Sequence, residues 1–153
     1  MELKELAIKA NKTAQDKGFW EMYDNIGLSF VQQTPITIEQ LKWIEGQHIA
    51  VKIALCITEL GEAIEALRKG RIITPEIVAA FKTRCSKEDF EAGNQTFIEA
   101  FEDLIKDTDG DELCDTYVRL GDLVEKRKID IDFHIKMKMK YNETRSKMHG
   151  KSY

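Results

Sequence analysis

The segment Ile53–Lys69, IALCITELGEAIEALRK, constrains this chain more than any other. At about 100° per residue, Ile53, Ile57, Leu60, Ile64 and Leu67 fall on one helical face. Such a stripe predicts helix-on-helix packing. Glu59 and Glu62 form an ExxE pair at the edge of the stripe, one turn apart. A second stretch, DELCDTYVRLGDLVEK, repeats the design. There Leu113, Tyr117, Leu120 and Val124 form the apolar seam, flanked by Glu112, Asp115, Arg119 and Asp122. Packing the two seams together predicts that the ExxE pair meets the ExxD pair, Glu112 and Asp115, at the rim. Four carboxylates brought together repel, and a hard divalent cation removes that cost. All-oxygen ligation suits Mg²⁺, with Mn²⁺ as the alternative.

Acid pairs at i, i+3 are ordinary on solvated helices, so their neighbours matter. Here they abut Gly61, Ala63 and Ala66 on one side and Leu113 and Cys114 on the other. Neither pair has the lysine four residues on that marks a salt-bridged surface. A di-iron bundle needs Glu-x-x-His, and neither acid pair is followed by histidine at that spacing. DTDGDE approximates a calcium loop, but its glycine is misplaced and Val118 stands where the bidentate glutamate belongs.

The remainder of the chain reads as all-α. Two prolines in 153 residues and long charged periodic runs favour helix over sheet, and the length favours a single domain over 1–153. With 42% hydrophobic residues the chain can bury a core. A net charge of −4 argues against stable binding to nucleic acid or to an anionic membrane surface. Cys56, Cys85 and Cys114 form no CxxC and are expected to be buried thiols in a reducing compartment. The charged stretch MELKELAIKANK is not expected to be a signal peptide, and no apolar run reaches membrane-spanning length, so a cytoplasmic protein is expected.

Local signals order the helices. The first is expected from Glu2 to about Lys17, stopped by Gly18, with an irregular stretch over Glu21–Pro35 broken at Asn25, Gly27 and Pro35. Thr37 and Gln40 form a capping box for a long helix that ends at Lys69–Gly70 and breaks or kinks at Gly46. Thr74-Pro75 starts a short helix to about Thr83, and Ser86 caps another from Lys87 to Lys106. A helix follows over Asp111–Lys128, and Asp130 caps the last, which runs to about Lys147 with Gly150 beyond.

Four stretches in this order resemble the MazG-like all-α nucleoside triphosphate pyrophosphohydrolases, a family marked by ExxE followed by ExxD. They are KGFWE (Lys17–Glu21), ITELGEAIEALRKG, ELCDTYVRLGDLVEKRKIDID, and KMKYNETRSKMHGK with its K-x-x-x-N-x-x-R spacing. The resemblance covers about half the chain. It implies a four- to five-helix bundle, with additional helices inserted between the two metal-binding helices, that assembles as a homodimer or homotetramer. It makes Glu59, Glu62, Glu112 and Asp115 the metal ligands, and Lys138, Asn142 and Arg145 the substrate-binding tail. The bare spacing agrees, since these three lie at i, i+4 and i+7 of one helix face. Thr58 and Ser146 depart from common family positions, and the stretches Met22–Gln47 and Arg71–Asp109 are enlarged.

The implied activity is Mg²⁺-dependent hydrolysis of a nucleoside triphosphate between the α and β phosphates, giving monophosphate and pyrophosphate. Glu59 or Glu62 is then the residue that positions or deprotonates water, and Lys138 and Arg145 offset phosphate charge. Trp20 or Phe19 is a candidate to stack on the base, with core packing as the commoner role. Lys52, two turns before Glu59, is a further candidate phosphate contact. Two alternatives stand: a non-catalytic helical nucleotide- or protein-binding module, and a metal-dependent hydrolase of a modified or alarmone nucleotide.

Overall fold

The computed structural model describes residues 2–21, 23–25 and 37–145. Every longer regular element among them is an α-helix: α1 (Leu3–Asp16), α2 (Ile38–Arg68), α3 (Pro75–Arg84), α4 (Lys87–Ala92), α5 (Gln95–Leu104), α6 (Asp109–Lys126) and α7 (Ile131–Glu143). None is long and apolar enough to cross a membrane. The expected breakers Gly27 and Pro35, and the end of the last helix at Lys147–Gly150, lie outside the described residues.

The helix starts are set by local hydrogen bonds. Gln40 N–H donates to Thr37 Oγ1, and Thr37 N–H to Gln40 Oε1, closing the capping box of α2. Thr74 caps α3 ahead of Pro75, Ser86 caps α4 and Asp130 caps α7. Two expectations are corrected. The helix expected over Lys87–Lys106 is two helices, because Gly93 turns left-handed at φ 59° and Asn94 starts again as an N-cap, accepting from Phe97 N–H. Gly46 does not interrupt α2, which is continuous for 31 residues.

The chain divides into two compact units, residues 1–45 with 120–153 and residues 46–119. In the first, α1 turns Ala7, Ala10, Asn11 and Ala14 inward. Gly121 of α6 comes so near that a Cβ on it would stand 3.2 Å from Ala7 Cα. The polar centre here is Asp122, whose Oδ1 accepts from Asn11 Nδ2 at 2.8 Å and from Trp20 Nε1 at 2.7 Å. Trp20 is 1% exposed, with Lys126 Nζ 4.9 Å above its ring, whereas Trp43 is 66% exposed.

In the second unit α3, α4 and α5 pack through Phe97, which meets Phe81 and Phe90 edge-on. The apolar seam expected to face inward on α2 faces out: Ile53, Ile57, Leu60, Ile64 and Leu67 are all exposed, Ile57 by 64%. The inward stripe is Cys56, Glu59, Ala63 and Ala66, about 100° round the helix. On α6, likewise, Leu113 and Tyr117 are exposed while Glu112 and Thr116 are buried. Alanines fill the inward stripe of α2 beyond Glu59. Cys56 and Cys85 are buried as expected, but Cys114 is exposed, on the outer side of α6.

Removing the Asp122 carboxylate takes the 2.7 Å acceptor from Trp20 Nε1 and leaves Asn11 Nδ2 only the Asp122 main-chain oxygen at 3.3 Å, at roughly 2–3 kcal/mol in total. Asp122→Ala should therefore lower Tm by about 5–10 °C, and Asp122→Asn, which keeps one acceptor oxygen, should recover most of it. Circular dichroism melts check this; equal losses in both variants would contradict the acceptor role.

Candidate metal centre

Three of the four acids singled out in the sequence converge in the unit 46–119. One carboxylate oxygen each from Glu59, Glu112 and Asp115 lie within 4.8 Å of one another. Glu59 is 5% exposed and Glu112 7%, while Asp115 is exposed, so the trio reaches from the interior to the surface. Glu62 is exposed and outside this trio, but close enough to act on the charge of Glu112 and Asp115. It also lines a cavity of about 200 Å³ together with Ala66 and Glu112. Because Glu59 pairs with Arg119, and Arg71 just beyond α2 accepts from Asp109 N–H at the start of α6, the two helices run antiparallel here.

Two residues that the sequence pattern did not select complete the cluster. Arg119 Nε stands 2.6 Å from Glu59 Oε1, although its N–H is not aimed at that oxygen, so the contact is an ion pair without a hydrogen bond. Asp111, one turn before Asp115, adds its charge to Glu112 and Asp115. The one sequence signal for Arg119 was its place on the acid flank of the α6 seam. Asp111 was masked by its plain role at the acidic start of a helix.

The electrostatics follow from burial. Loss of water, then the charges of Glu62, Asp111 and Glu59, push the Glu112 carboxyl up to about 7. Desolvation, then Asp111 and Glu59, raise Asp115 against the opposing pull of Arg119. Asp111 is raised too, chiefly by burial. Clustered carboxylate oxygens of this kind could hold a metal ion.

The remaining candidates are placed differently. Lys52 is half-buried on α2, two turns before Glu59 in the same unit. Lys138, Asn142 and Arg145 belong to the unit 1–45 with 120–153 and are exposed. Arg145 falls beyond the end of α7 at Glu143, so the three do not share one helix face. Lys138 Nζ and Arg145 Cζ instead lie 5.2 and 5.9 Å from the ring of Tyr141. Trp20 is a core residue whose ring is already covered; Phe19 is 62% exposed.

Neither a family model, nor a curated protein, nor a solved structure matches this chain.

The raised Glu112 carboxyl has a signed consequence. The folded chain holds this proton up to about 7, the unfolded chain only to about 4.5. Stability from this group is thus full below pH 4.5 and is lost as pH rises through 7. In chelator-treated buffer, Tm should fall between pH 5 and 8, and Glu112→Gln should flatten that slope. Scanning calorimetry of both proteins is the check; a flat wild-type profile would contradict the burial argument.

Proposed function

We propose that the chain is a Mg²⁺-dependent nucleoside triphosphate pyrophosphohydrolase of the MazG-like kind. The observation that carries the reading is the convergence of Glu59, Glu112 and Asp115, remote in sequence, within 4.8 Å in a mostly buried setting. Such a set is costly as bare carboxylates, and a divalent cation offsets that cost. When bound, Mg²⁺ supplies charge neutralisation and polarises phosphoryl oxygens.

The chain's own residues divide the remaining tasks. Glu59, Glu112 and Asp115 would hold the ion. Glu62, exposed at the same cavity, orients the attacking water and takes its proton as the water oxygen bonds to the α phosphorus. The bond from that phosphorus to the α,β-bridging oxygen breaks, releasing monophosphate and pyrophosphate. Lys52, in the same unit as the acids, is the candidate substrate contact. The free thiols suit a reducing, cytoplasmic setting.

The outward stripes support a homo-oligomer. Antiparallel helices whose apolar stripes are each turned about 100° from the shared face present them on the same side. Ile53, Ile57, Leu60, Ile64 and Leu67 of α2 thus join Leu113 and Tyr117 of α6 in one apolar surface. Ile57→Glu should shift the protein to monomer in sedimentation velocity runs; an unchanged sedimentation coefficient would exclude this face.

One observation favours a non-catalytic binding module. Arg119 already neutralises Glu59, as it would in a metal-free structural cluster. Assay of pyrophosphate release from a panel of nucleoside triphosphates with Mg²⁺ decides between them. Asp115→Asn and Glu112→Gln should each lower turnover by at least about 100-fold with helicity unchanged. Orthophosphate release would reject the bond assignment. No product and no Mg²⁺-dependent rise in Tm would favour the binding module.

A further inference from the structure

The strap between α2 and α3 is pinned to the start of α6. Asp109 N–H donates to Arg71 O at 2.9 Å, and Ile73 N–H donates to Asp109 Oδ1 at 2.7 Å. Only glycine fits at position 110, where a Cβ would stand 2.6 Å from Ile73 Cγ2. Arg71 is thereby fixed at one end of α6, and its Nη1 reaches Asp107 Oδ2 at 3.1 Å. Asp107 sits left-handed at φ 58°, its N–H donating to the Asp111 carboxylate.

Arg71 and Asp107 line two cavities. On one side is the space of about 200 Å³ that holds Glu62, Lys69 and Glu112. On the other is a cavity of about 400 Å³, lined by Ile72, Ile77, Glu102, Leu104 and Lys106. The second is built largely by the enlarged stretch between the two acid motifs.

We infer that these cavities are the two halves of one nucleotide site, with polyphosphate in the acid-lined half, the nucleoside in the larger half, and Arg71 at the join. The inference rests on the hydrolase reading above and assigns its substrate a place. A guanidinium exchanges a carboxylate partner for a phosphoryl oxygen without losing its hydrogen-bond geometry. The Arg71–Asp107 pair is more than half exposed on both sides, so giving it up costs the fold little. Lys69, just past the end of α2 and paired with Glu65 at 3.4 Å, is the second cation of this half, beside the carboxylates of Glu62, Glu65, Asp107 and Glu112; like Arg71 it can exchange an exposed carboxylate partner for a phosphoryl oxygen. The larger half has the size of a small-ligand pocket, with Ile72, Ile77 and Leu104 for the base and the Glu102 carboxylate as acceptor for sugar hydroxyls.

Calorimetric titration in Mg²⁺ tests this with two probes: inorganic tripolyphosphate, and α,β-methylene analogues of the four common deoxynucleoside triphosphates. Arg71→Ala should weaken both probes by at least about 10-fold while the affinity for Mg²⁺ alone is unchanged. Ile77→Trp should weaken the tightest analogue by a similar factor and leave tripolyphosphate within about 2-fold. If Ile77→Trp fails to fold, Glu102→Trp fills the same half from an exposed position. Tripolyphosphate binding that ignores Arg71→Ala, or analogue binding that ignores the tryptophan variant, overturns this inference and leaves the hydrolase reading standing. Wild-type protein that binds neither probe removes both.

Discussion

Two carboxylates of the same sign in one protein interior are the constraint from which the arrangement of the second unit follows. Glu59 and Glu112 are both almost fully buried, with Asp115 alongside and Arg119 as the near cation. To bring them together, α2 must turn its small and acidic stripe toward α6, and the isoleucine stripe is left outside. The unit thus exchanges some hydrophobic burial for a polar cluster, a trade seen where a site, and not the core alone, sets the packing.

α6 carries this logic along its length. Its buried positions include Glu112, Thr116 and Asp122 besides Leu123. Thr116 satisfies its hydroxyl on the Glu112 carbonyl, and Asp122 takes two donors in the unit that contains α1. In the Asp122 network every partner is neutral and the carboxylate is well served. Around Glu112 the neighbours are mostly further acids, and the proton affinity rises accordingly. The same side-chain chemistry is structural at one end of the helix and strained at the other.

Much of this was legible before any coordinates. Helix starts at Thr37, Thr74, Ser86 and Asp130 are written in short-range hydrogen bonds that a few residues determine. The acid pairs stood out because each abuts small or apolar neighbours. What could not be read was which stripe of α2 faces inward. Two stripes about 100° apart were both regular, and the greasier one was the natural choice. Only contacts remote in sequence, such as Arg119 with Glu59, decide between them. Gly93 was passed over because the apolar stripe of the expected helix, Phe97, Phe101, Leu104 and Ile105, lies wholly beyond it, and Arg145 was placed on a helix that ends two residues earlier.

The contrast between the two tryptophans carries a practical consequence. Trp20 is sealed against Asp122 and beneath Lys126, and Trp43 stands in solvent. Their emission should differ in colour, the sealed indole to the blue and the open one to the red. A single fluorescence spectrum therefore follows the interior of the unit containing α1 separately from its surface, with no added dye.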